Sequence, residues 1–149
     1  MKRLALLAAV VLLAGCGGGS SEQTLYSGPD WSVTLDHGKA AVHHLVNGKW
    51  VVDHSGDVKI EILGPLKGQP ISNPPQVAIT MHSKTPIIES FLWVDGNRLF
   101  EKGGGTATNY TLYGAPTVLE AGTHTAVGYA RTAFGGSAVA WTFQVSKNG

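Results

Sequence analysis

Six histidines are the residues of this 149-residue chain best able to do chemistry. An imidazole can ligate a metal or move a proton near neutral pH. None stands in a His-Glu-x-x-His arrangement, which sets two imidazoles and a general base on one helical face. His43 and His44 adjoin in a stretch of period two, so they point to opposite sheet faces and cannot share an ion. His43 and His54 form the better pair. A return through Asn47-Gly48 sets His54 across from Ala41 and diagonal to His43, a separation that suits two ligands but supplies no third. Asp53 and Asp57 have the chemistry of paired carboxylates or calcium ligands, but the oxygen-rich loop spacing is missing. They read as polar residues of a connecting loop. There is no Gly-x-Ser-x-Gly elbow and no phosphate loop. No catalytic residue, cofactor or complete metal site emerges from this reading.

Charge excludes another class. Eleven basic residues face ten acidic ones, and no long block of like charge appears, which argues against a nucleic-acid partner. One cysteine allows neither an internal disulfide framework nor a cysteine-rich zinc site. That cysteine ends a basic-then-apolar leader: Met1-Lys2-Arg3, an apolar run over 4–14, then Gly15-Cys16. The run falls short of the ~20 residues a membrane-crossing helix needs. Leu13-Ala14-Gly15-Cys16 resembles the lipobox of bacterial lipoproteins. The resemblance implies a signal peptide over 1–15, lipidation of Cys16, and a protein anchored to a cell membrane or outer membrane, outside the cytoplasm. Gly17 in place of Asp is compatible with outer-membrane delivery by the same resemblance. Acyl chains contribute about 0.8 kcal/mol per buried methylene, so the expected result is an anchor, not a span. Gly17-Gly18-Gly19-Ser20-Ser21 opens what reads as a flexible tether over 16–30.

The elements that must position any site are strands. Beyond residue 20 no helical period appears, while alternation of period two recurs between Gly, Pro and Asn turns. Residues 31–56 predict a three-stranded β-meander. Its first turn, Asp36-His37-Gly38, suits a three-residue loop, and Asn47-Gly48 is a strong two-residue hairpin signal. Those two turns predict one apolar face made by Trp31, Val33, Leu35, Leu45, Trp50 and Val52. Such a sheet needs a cover.

Residues 57–149 carry about seven further short strands with regular turn signals, which predicts an antiparallel sandwich. Leu119-Glu120-Ala121-Gly122-Thr123-His124-Thr125, with Ala130, Gly135 and Phe143-Gln144-Val145, resembles the C-terminal half of bacterial immunoglobulin-like domains. Pro75-Gln76-Val77 and Val94-Asp95-Gly96 fit earlier strands of that pattern. By this resemblance His124 is a structural hydrogen-bonder at a strand entrance. Thr132 stands where the family often has Asp, which puts a calcium-assisted or Asp-capped turn in doubt.

An aromatic feature completes the reading. With Leu92, Val94 and Leu99 turned inward, Phe91 and Trp93 turn outward. An Asp95-Gly96 turn sets Arg98 beside Trp93 and Phe100 beside Phe91, and Val127 and Tyr129 join them from the neighbouring strand. Apolar patches of this kind mark interfaces. Either the meander packs on the patch within the chain, or the patch is open and binds sugar or protein. The meander's own need for a cover favours the first. The expected protein is an all-β, non-enzymatic envelope lipoprotein acting in binding, adhesion or structure. Its partners would be the membrane and an envelope protein or glycan. The alternative is a small metal-binding protein using His43 and His54.

Overall fold

The computed structural model describes residues 22–67, 69, 71 and 74–146. The expected signal peptide, Cys16 and the first part of the tether lie outside the described residues. Eleven strands and no helix occur among the described residues. They are β1 (Gln23–Ser27), β2 (Trp31–Asp36), β3 (Lys39–Val46), β4 (Lys49–Val52), β5 (Lys59–Gly64) and β6 (Val77–His82). Then come β7 (Glu89–Val94), β8 (Asn97–Gly103), β9 (Asn109–Gly114), β10 (Gly122–Arg131) and β11 (Gly136–Val145). All pairings are antiparallel, in sheets ordered β1-β2-β3-β4, β11-β10-β7-β8 and β5-β6-β9.

The sheets stack in three layers because the middle one is apolar on both sides. Along β7 and β10 the side chains alternate between two cores. Leu92, Val94, Ala126 and Ala130 face β5-β6-β9, where they meet Val77, Ile79, Met81 and Leu112. Phe91, Trp93, Val127 and Tyr129 face the N-terminal sheet, where they meet Val33 and Val42. Near-continuous apolar runs are what a strand covered on both faces requires. Gly128 permits close approach on the first side, since a Cβ there would lie 2.6 Å from Ile79 Cδ1. Gly136 does so on the second, where a Cβ would lie 2.8 Å from Val42 Cγ1.

The outward patch is therefore covered by the meander, the first of the two arrangements. Phe91, Trp93, Val127 and Tyr129 are at most 2% exposed. Arg98 pairs with Trp93 as expected and stands 5.6 Å from the Phe91 ring centre. Phe100 departs from expectation. A register shift between Leu92 and Trp93 pairs it with Leu92 rather than Phe91, and it is an exposed residue outside both cores.

Two further expectations are corrected. The tether reading of 16–30 fails from Gln23 onward, because β1 pairs with β2 and makes the meander four-stranded. Leu25 and Tyr26 pack into the inner core, so these residues have apolar surface to bury. The second correction concerns the turn after β2. It has two residues, His37 at φ 47° and Gly38 at φ 75°, so Asp36 pairs with Lys39 and Val33 with Val42. One residue fewer in a turn reverses the parity of every strand after it. Trp31, Val33 and Leu35 stay inward, while Leu45, Trp50 and Val52 pass to the outer face with Ser32 and Thr34.

Asp53, in the loop between the two units, fastens one to the other, and Asp57 braces the loop within the second. Asp53 Oδ2 accepts from the Gly136 amide at 2.7 Å, and Oδ1 accepts from the Ser55 amide at 3.0 Å. Burial opposes the charge on Asp53, but the bonds from Ser55 and Gly136 outweigh it and hold the pKa below the ordinary value. Asp57 Oδ1 accepts from Thr132 Oγ1 at 2.8 Å, so the residue that departs from the immunoglobulin-like pattern is itself the donor to a carboxylate.

Candidate functional site

The titratable groups that invited a catalytic reading are mostly engaged in holding the fold. Asp95 and His124 sit where the β7–β8 turn meets the start of β10. His124 Nδ1 lies 2.6 Å from Asp95 Oδ2, and Nε2 lies 2.8 Å from the Glu120 carbonyl oxygen. Both neighbours are acceptors, so the ring satisfies them together only as an imidazolium donating twice. Burial works against that charge, but Asp95 and the Glu120 carbonyl prevail and raise the His124 pKa above 6.5. With both nitrogens occupied, His124 has no free nitrogen for a substrate proton.

A second cluster lies between the N-terminal sheet and the middle sheet. Glu89 Oε1 accepts from Tyr26 Oη at 3.0 Å, and its Oε2 accepts from Tyr129 Oη at 3.1 Å and from Arg131 Nε at 3.1 Å. The Arg131 guanidinium stands 5.2 Å from the Trp31 ring centre, and Trp31 stacks on His44 at 4.2 Å with ring planes 3° apart. Burial first, then the Glu89 charge, raises the Tyr129 pKa far above 10. Burial first, then its hydrogen bond to Glu89, raises the Tyr26 pKa. The sequence reading missed this cluster. Glu89 opens an apolar strand and Arg131 closes another, and only the register Arg131↔Glu89 brings them together.

The chemistry left open to solvent lies on the outer face of the N-terminal sheet. A shallow groove of about 240 Å³ is lined by Glu22, Thr24, Ser27, Ser32, Thr34, His43 and Trp50. The hydroxyl residues come from β1 and β2, paired Ser27↔Ser32 and Thr24↔Thr34. His43 stands opposite Ser32 on the next strand, and Trp50 follows on β4 with 45% of its surface exposed. His43 Nδ1 is buried with no hydrogen-bond partner among the described residues. The groove thus combines an open aromatic face, a row of hydroxyls in which Ser32 and Thr34 are largely buried, an imidazole and one carboxylate.

The histidine pair does not come together as expected. His43 lines this groove, while His54 lies past the end of β4 and lines a separate cleft with Asp53, Gly136 and Ser137. Among the described residues no group of three or more His, Cys, Asp and Glu side chains is placed to hold a metal ion. Among them also, no helix is long and apolar enough to cross a membrane. No protein-family model, curated protein or solved structure matches this chain.

Proposed function

We propose that this protein is a lipid-anchored, non-enzymatic module of the bacterial envelope that binds glycan through the outer face of its N-terminal sheet. One observation carries the ligand class: exposed Trp50 closes a groove otherwise lined by Ser, Thr, His and Glu side chains. An indole face stacks on the C–H face of a sugar, and hydroxyl and imidazole groups exchange hydrogen bonds with its hydroxyls. The leader and Leu13-Ala14-Gly15-Cys16 support the anchor. Three strands facing four, all antiparallel, support the immunoglobulin-like resemblance of residues 57–149. The non-enzymatic reading is supported by the engagement of Asp53, Asp57, Glu89, Asp95 and His124 with structural partners.

Binding to a panel of envelope oligosaccharides tests the ligand. Trp50→Ala and His43→Ala should each lose binding with the β-type circular dichroism unchanged. Full binding by both variants overturns the groove as the site. A fatty-acid analogue tests the anchor: Cys16→Ser should lose the label, and an unlabelled wild type removes the anchor from the account.

A further inference from the structure

Strand β4 is the open edge of the N-terminal sheet, and all four of its residues are exposed. It lies past β3, which packs on β11, the edge of the middle sheet. Val46, Trp50, Val51 and Val52 are each more than 40% exposed. An unpaired apolar edge strand is a template for another strand.

The ladder shows what this edge offers. Asp53 N–H donates to the Val42 carbonyl at 2.7 Å, and His43 stands opposite Val52. Hydrogen-bonded pairs alternate along an antiparallel ladder, so residues 49, 51 and 53 bond to β3. The N–H and C=O groups of Trp50 and Val52 then point away, into the open edge.

We propose that β4 pairs antiparallel with β4 of a second copy about a twofold axis through Val51. This register sets Trp50 against Val52 of the copy and the reverse, and each pair exchanges two hydrogen bonds. It also sets Lys49 against Asp53 of the copy, twice; Asp53 Oδ2 already takes the Gly136 amide, so the ammonium would share a carboxylate that is held in place. The segment Lys49-Trp50-Val51-Val52-Asp53 has a cation at one end and an anion at the other. An antiparallel match centred on Val51 therefore brings unlike charges together. A parallel match sets like on like, and a match centred on Trp50 or Val52 leaves Lys49 without Asp53. The contact is isologous, so it closes at two copies and builds one eight-stranded sheet from two four-stranded ones. The strand is short against a standard interface of about 1,600 Å², so the dimer is micromolar rather than permanent. It stands independently of the groove's ligand and of the anchor.

Sedimentation and disulfide trapping of the full chain in mild detergent test it. Val51 meets Val51 of the copy in a non-hydrogen-bonded pair, where Cα atoms approach to about 4.5 Å. Mild oxidation should link Val51→Cys into a covalent dimer, in excess of the wild type with its own Cys16. Val46→Cys, exposed but off the axis, should not link. Across about 10–500 µM the wild type should move from monomer to dimer, and Lys49→Glu should weaken that step about tenfold or more. Val51→Lys should hold the chain monomeric. A wild type monomeric throughout, equal trapping at positions 46 and 51, or an unchanged Lys49→Glu variant overturns the proposal. Loss of glycan binding in Trp50→Ala with dimerisation intact leaves it standing.

Discussion

Asp95 grips His124 across the end of the middle sheet. Its Oδ2 lies 2.6 Å from His124 Nδ1, while its Oδ1 accepts the Thr125 amide at 2.9 Å. One carboxylate thus holds the side chain of one residue and the backbone of the next, and the β7–β8 turn is locked to the start of β10. Because the protonated ring is the form that satisfies both neighbours, this lock depends on pH.

The sign follows from the raised pKa. A folded-state pKa above the unfolded 6.5 contributes stability that is fully present below 6.5 and is lost as pH rises through the folded value. Urea midpoints should therefore fall across that window in the wild type. His124→Gln should flatten this dependence and, by leaving Asp95 poorly matched, cost about 1–3 kcal/mol at pH 6. Equal pH slopes in the two proteins would remove His124 as the titrating group.

Glu89 ties the N-terminal sheet to the middle sheet, because its carboxylate accepts from Tyr26, Tyr129 and Arg131 together. Glu89→Ala strands a guanidinium and two phenols, and a loss of about 3 kcal/mol is expected. Tyr26→Phe removes one bond at about 1 kcal/mol. Hydrogen exchange of the β1–β4 amides should speed up more in Glu89→Ala than exchange in β5, β6 and β9.

Trp93 and Trp50 should respond in opposite ways. Trp93 is 2% exposed in the inner core, so Trp93→Ala should cost about 3–5 kcal/mol in denaturant unfolding. Trp50→Ala should change stability by less than about 0.5 kcal/mol and be felt in binding instead. A stable Trp93→Ala protein would mean the meander does not seal that face.

Gly56 is a test of backbone fit. A Cβ at Gly56 would overlap the carbonyl oxygen of Gly136, which no rotamer change relieves. Gly56→Ala should cost about 3 kcal/mol or more by forcing the linker off β11. Gly38 has open space around it and only its φ of 75° against substitution, so Gly38→Ala should cost about 1–2 kcal/mol. Thermal melts of the two variants side by side measure the difference.

Much of the architecture was legible in residue order. The recurrent period-two alternation marked strands, and Asn47-Gly48 and Asp95-Gly96 marked the turns of the β3–β4 and β7–β8 hairpins. The opposed facing of Leu92 and Trp93 followed from the same alternation. His37-Gly38 carried the signal of a two-residue turn that a three-residue reading overlooked. All three X-Gly pairs adopt the same left-handed geometry, with φ of 47–51° and then 75–77°. That one residue hid the groove, because it set Trp50 inward beside Val33.

The sequence by itself determined that this chain is built of strands, where most of them turn, and which residues alternate, since these depend on neighbours one or two positions away. Only the tertiary structure decided which face of the N-terminal sheet is covered, that Glu89 meets Tyr26 and Arg131, and that Trp50 is left in solvent. Those outcomes depend on the parity of a single turn and on pairings between residues more than forty positions apart. Local pattern holds no record of such distances, and packing against the middle sheet selects among them.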